Sequence, residues 1–103
     1  MEKRFFRRVN VQDGFCNLMK GDMVTGIVEN ISLGGLFVRT DMHMKASERM
    51  KISITLPRKP NSICIDTDVI ATRVENGGVA FKYDSLDHKD FWTLQSFIHG
   101  ISQ

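Results

Sequence analysis

The chain has 103 residues, 42% of them hydrophobic and 25% charged, with a formal net charge of +2. That is the length and balance of one globular domain with a single modest core, and it argues against a polyelectrolyte that coats nucleic acid. No apolar run approaches the roughly 18–20 residues of a membrane span. Residues 3–8 hold four basic residues, and no apolar stretch of the kind a secretory signal needs follows them, so the expectation is a cytoplasmic protein without membrane insertion.

In chain order, residues 1–8 read as a basic arm. Lys3, Arg4, Arg7 and Arg8 are four of the 14 basic residues, and Phe5 and Phe6 lie between them. From Val9 the chain reads as strand. "GFCNLMKG" at 14–21 is a short strand closed by Gly21-Asp22. "MVTGIVENIS" at 23–32 and "GLFVRT" at 35–40 flank a Gly pair, which predicts a hairpin. Residues 41–49 read as a polar loop. In "MKISITLP" at 50–57 the apolar residues Met50, Ile52, Ile54 and Leu56 alternate with polar ones, the period of a half-buried strand. "SICIDTDVIATRVE" at 62–75 predicts one long strand, straight or bent. Asn76-Gly77-Gly78 is a strong hairpin turn, and "VAFKY" at 79–83 returns from it.

The last stretch changes period. Phe91, Leu94, Ile98 and Ile101, with Phe97 beside them, fall on one face of a helix over 85–102. Asp84 or Ser85 can cap it, Asp87 and Asp90 suit the positive end of its dipole, and Gly100 weakens its last turn. About six short strands and one helix in 103 residues predict a closed antiparallel β-barrel over 9–83 with a C-terminal helix packed on it.

Cys16 and Cys64 are too far apart in sequence for a zinc pattern and too few for a disulfide framework. They read as half-buried free thiols. His43, His88 and His99 are scattered, so no metal site is expected. No nucleophile–base arrangement, phosphate-binding glycine loop or metalloprotease motif is present, which argues against an enzyme. Asp66 and Asp68 share one strand face and read as solubilising its outer side.

Two stretches remain. Arg4 and Arg8 are four apart and can point at one anion, since guanidinium donors match phosphate or the O6/N7 edge of guanine. A solvated basic tail accounts for them equally. Asn30-Ile31-Ser32-Leu33-Gly34-Gly35 offers an amide, a hydroxyl and glycines that let a ligand approach the backbone. An ordinary hairpin turn needs the same residues.

Taken together, Arg-x-x-x-Arg at 4–8 followed by Val9 and a strand, then Asn-x-Ser-x-x-Gly at 30–35, resembles the PilZ domain family. Leu56-Pro57, "GGVAFKY" and the final helix fall in the same order, so the resemblance spans nearly the whole chain. It implies a six-stranded antiparallel barrel with a C-terminal helix. It also implies a non-enzymatic bacterial receptor for the second messenger cyclic di-GMP, with no cofactor. Arg4 and Arg8 match the residues that grip the ligand's phosphates and guanine edges. Asn30, Ser32 and Gly35 match the motif that contacts guanine and backbone. Lys3 stands where relatives often carry Arg or Gln, Arg7 is an added cation, and Arg73 can reach the ligand's edge. Ligand binding would order the arm and so relay the signal to a protein effector, which the sequence does not identify. Nucleic acid is not an expected partner. Two other readings fit the residues: an adaptor of the same fold that binds no nucleotide, and a small barrel that binds single-stranded nucleic acid through the Phe-bearing arm.

Overall fold

The computed structural model describes residues 7–101. The strands are β1 (Val9–Asn10), β2 (Phe15–Lys20), β3 (Asp22–Ile31), β4 (Gly35–Arg39), β5 (Arg49–Leu56), β6 (Ile63–Glu75) and β7 (Gly78–Ser85), and one helix follows, α1 (His88–Ile101). All pairings are antiparallel. β2, β3, β4, β7, β6 and β5 pair in that order, and β5 returns to β2, so six strands close into a barrel. β1 lies end to end with β2 along one edge of β3. The short gap between them is bridged by Val11 N–H donating to the Glu29 carbonyl (2.9 Å) and Val28 N–H to the Gly14 carbonyl (3.0 Å).

Alternation in the sequence becomes inside and outside. Met50, Ile52, Ile54 and Leu56 of β5 are all buried, as are Ile63, Ile65, Val69 and Ala71 of β6. Register joins such residues into layers. Val9, Ile31, Leu36, Phe81 and Ala71 are successive cross-strand partners, and all five are buried. Each large apolar side chain so buried contributes about 1.5–3 kcal/mol. Leu94, Phe97 and Ile98 of α1 join the same core.

The sequence reading differs from the structure at three places. The helix begins at His88, because β7 continues through Ser85, which pairs with Asp68 and whose carbonyl accepts from the Thr67 hydroxyl at 3.0 Å. Neither Asp84 nor Ser85 caps it. Asp87 does, its carboxylate accepting the Asp90 N–H at 2.8 Å. The cysteines are not alike: Cys16 points into the core and Cys64 outward. Among the described residues, no helix is long and apolar enough to cross a membrane.

Candidate functional site

Two irregularities in the barrel wall lie close together. In the β3–β4 ladder Val28 faces Val38 and Asn30 faces Phe37, which leaves Glu29 as an extra residue. In the β6–β7 ladder Ala71 faces Phe81 and Arg73 faces Ala80, which leaves Thr72 extra. Each is a β-bulge, a device that re-aims side chains and concentrates near sites. The Thr72 hydroxyl donates to the Ala80 carbonyl at 3.1 Å, which anchors the second bulge. Beyond the bulges the register sets Asn10, Asn30, Phe37, Ala80 and Arg73 in one row across four strands and β1. Opposed residues in a ladder share a face, so this row looks outward.

Asn30, Phe37 and Arg73 of this row line a shallow concavity of about 320 Å³. Arg8, Arg39 and Arg73 line it against two carboxylates, Glu29 and Glu75. Phe37 lies on Gly78, where a Cβ would stand 2.3 Å from its ring, so the missing side chain makes room for the aromatic surface. Arg39 Nε is 3.7 Å from the Glu29 carboxylate, and Arg73 is paired with Glu75. Both pairs are exposed, and such pairs contribute about 0–1 kcal/mol. The guanidiniums can therefore be transferred to an incoming phosphate at small cost. Asn30 Oδ1 is buried and has no hydrogen-bond partner among the described residues. An unmet acceptor costs about 1–3 kcal/mol, which a donor reaching it would recover.

Ser32 and Gly35 shape the turn that links β3 to β4. The Ser32 hydroxyl accepts from Gly34 N–H (3.0 Å) and Gly35 N–H (3.2 Å) and lies 3.3 Å from the Gly35 carbonyl, while Ser32 N–H donates to that carbonyl at 2.8 Å. Ser32 is 5% exposed, and its own carbonyl takes the Tyr83 hydroxyl at 3.1 Å. Its polar groups are thus spent on the turn that links β3 to β4. At Gly35 a Cβ would stand 2.1 Å from the Phe81 carbonyl oxygen, so this glycine lets β4 pass close to β7. Neither residue lines the concavity.

Of the residues singled out in the sequence, the structure brings Arg8, Asn30 and Arg73 together at the concavity, and Ser32 and Gly35 are not part of its lining. Arg7 is exposed and does not line it. Lys3 and Arg4 lie outside the described residues. Glu29, Phe37, Arg39, Glu75 and the Asn76-Gly77 turn also line the site, and sequence reasoning had not assigned them to it. Their only signal was proximity, Glu29 beside Asn30 and Glu75 two residues past Arg73.

A larger concavity, about 570 Å³, lies on the β2–β5–β6 side. It holds Asp66, Asp68, Asp87 and Asp90 against Lys51. Burial, and then the neighbouring Asp87, raise the Asp90 carboxyl above its ordinary value. Its charge would repel a phosphate, so the smaller, arginine-lined concavity is the better anion site. Among the described residues no group of His, Cys, Asp or Glu is placed to hold a metal ion.

Residues 2–100 match the family profile of the PilZ domain. No curated protein matches the sequence. Among solved structures, the chain resembles the inhibitor of motility MotI/DgrA of Bacillus subtilis, with a TM-score of 0.84 and 17% identity over 94% of this chain and 50% of that one. It spans half the length of that protein. It also resembles the PilZ domain of CeSA from a cellulose-synthesising bacterium, with TM-score 0.70 and 17% identity over 94% of this chain and 99% of that one. A third likeness is to the PilZ domain of YcgR from Escherichia coli, solved with c-di-GMP, with TM-score 0.76 and 12% identity over 98% of this chain and 92% of that one. At these identities the likeness is one of fold.

Proposed function

The chain belongs to the PilZ domain family, and from that premise we propose that it is a non-enzymatic cytoplasmic receptor for cyclic di-GMP that passes ligand binding on to a protein effector. One observation carries the reading: Arg8, Arg39 and Arg73 converge with Asn30 on a single concavity whose wall is shaped by two bulges. Cyclic di-GMP carries two phosphodiester charges and two guanines. Guanidiniums suit both the phosphates and the O6/N7 edges, and the glycine-backed Phe37 ring suits a base face. The ligand-bound PilZ domain of YcgR supports the same ligand class.

In this reading Arg4 and Arg8 grip the phosphates and a guanine, with Lys3 and Arg7 adding charge. Asn30 takes donors from a base, and Arg73 leaves Glu75 for the ligand. Ser32 and Gly35 contribute by holding the turn that carries Asn30. The ligand fixes the arm, residues 1–8, against the barrel, and that new surface is what the effector meets.

Isothermal titration with cyclic di-GMP tests this, with Arg8→Ala alongside. A hydrogen bond to a charged group contributes about 1.5–3 kcal/mol. The variant should therefore bind roughly 10- to 150-fold more weakly while unfolding at the wild-type urea midpoint. A folded wild-type protein that gives no heat at high micromolar ligand would end the receptor reading.

A further inference from the structure

Glu29 is the residue that the β3–β4 ladder leaves over. It has no partner on β4, and its side chain lines the concavity beside Asn30. Among the described residues its carboxylate meets one cation, Arg39 Nε, loosely at 3.7 Å, so it keeps acceptor capacity. Glu75 differs, since a close contact with Arg73 engages it. A carboxylate so loosely paired is electrostatically adverse in a site for a doubly anionic ligand, so its presence calls for a compensating contact.

Guanine supplies that contact. Its Watson–Crick edge sets the acceptor O6 beside the donors N1–H and N2–H. The site sets the donor Arg39 beside the acceptor Glu29, with the unmet Asn30 Oδ1 next along β3. The two patterns are complementary. Adenine presents an acceptor at N1 and would face the carboxylate with like polarity.

Resting on the reading of this site as a cyclic di-GMP receptor, we infer that Glu29 accepts the N1–H and N2–H groups of one guanine while Arg39 donates to O6 of the same base, so that the bulge residue sets base specificity.

The test pairs a side-chain deletion with a ligand deletion. Cyclic di-inosine monophosphate keeps both phosphates, O6, N7 and N1–H and lacks only the 2-amino group of each base. Titration calorimetry of wild type and Glu29→Ala with both ligands gives four dissociation constants, and circular dichroism checks that both proteins fold. In the wild type the inosine ligand should bind about tenfold more weakly, the loss of one hydrogen bond to a charged group. In Glu29→Ala that ratio should fall at least fivefold. The ratio is insensitive to the general gain in anion affinity that follows removal of a negative charge. A ratio near one in the wild type, or one unchanged in the variant, overturns the assignment and leaves the receptor reading standing. A folded wild type that binds neither ligand overturns the receptor reading itself.

Discussion

Replacing Gly35 with alanine separates two roles that a glycine in a binding motif can have. A Cβ at this position would lie 2.1 Å from the Phe81 carbonyl oxygen and 3.1 Å from Lys82 Cα and the Phe81 carbonyl carbon. Real Cβ atoms essentially never approach closer than 3.0 Å, and here the obstacle is backbone, which cannot rotate away. β4 and β7 must part by nearly 1 Å. That stretches the contacts around the turn, including Ser32 N–H to the Gly35 carbonyl (2.8 Å) and Tyr83 N–H to the Gly34 carbonyl (3.3 Å). Two weakened hydrogen bonds at about 1 kcal/mol each, with about 1–3 kcal/mol of overpacking strain, give a loss of about 3–5 kcal/mol. At a urea m-value of about 1.5 kcal/mol/M the midpoint falls by about 2–3 M. Far-UV circular dichroism is the probe, since Trp92 is 55% exposed and reports the core poorly. Gly100→Ala is the control. It lies inside α1 with no heavy atom within 4 Å, so alanine should stabilise by about 0.5–1 kcal/mol. A Gly35→Ala protein that unfolds at the wild-type midpoint yet no longer binds cyclic di-GMP would refute the packing argument and assign this glycine to ligand approach.

Two further outcomes are expected. Asp87→Ala removes the cap on the Asp90 N–H and should lower stability by about 1 kcal/mol in the same urea assay, whereas Asp84→Ala should leave α1 intact. Alkaline pH should weaken the fold. Burial pushes the Cys16 thiol up to about 12, a hydrogen bond from the Gly26 backbone offsetting it in part, and burial raises the Tyr83 phenol as well. Between the unfolded values, about 8.5 for a thiol and 10 for a phenol, and the raised folded ones, the folded state holds more protons than the unfolded. Stability is therefore complete below about pH 8.5 and falls as pH rises above it, by about 2 kcal/mol at pH 10 from Cys16. Cys16→Val should delay the onset to about pH 10. Coincident urea midpoints against pH for the two proteins would contradict this.

Most of the barrel was legible because the side chains of β5, and of β6 as far as Ala71, obey a period of two, and Leu94, Phe97 and Ile98 obey the helical one. What escaped follows from where the period breaks. β3 buries Gly26 and Val28, then Ile31, so its inward parity switches at Glu29. Periodicity read across that point assigns faces wrongly, and Glu29 and Arg39 then seem unconnected. The helix start was misplaced because Asp84 and Ser85 are good capping residues that here end a strand. Ser32 and Gly35 illustrate a different ambiguity. A hydroxyl and a glycine serve a tight turn and a ligand corner equally well, and the turn role shows only in the hydroxyl's hydrogen bonds and the 2.1 Å approach. The ligand itself entered through the family resemblance. The residues alone supported an anion site or a basic tail.

The bulges also bear on how this site can change over generations. Within a regular ladder of a closed barrel, losing one residue inverts every face downstream in that strand and turns the core outward. At Glu29 or Thr72 it does not. Removing either would restore a regular ladder with Val28 inward, Asn30 outward and Ile31 inward, or Ala71 inward, Arg73 outward and Val74 on the face of Val79. These are positions where chain length is a free variable, so a lineage could delete or reinsert the base-reading residue while the arginines and the core keep their places. Ligand preference could thereby drift through insertions and deletions, a route that a count of substitutions would overlook.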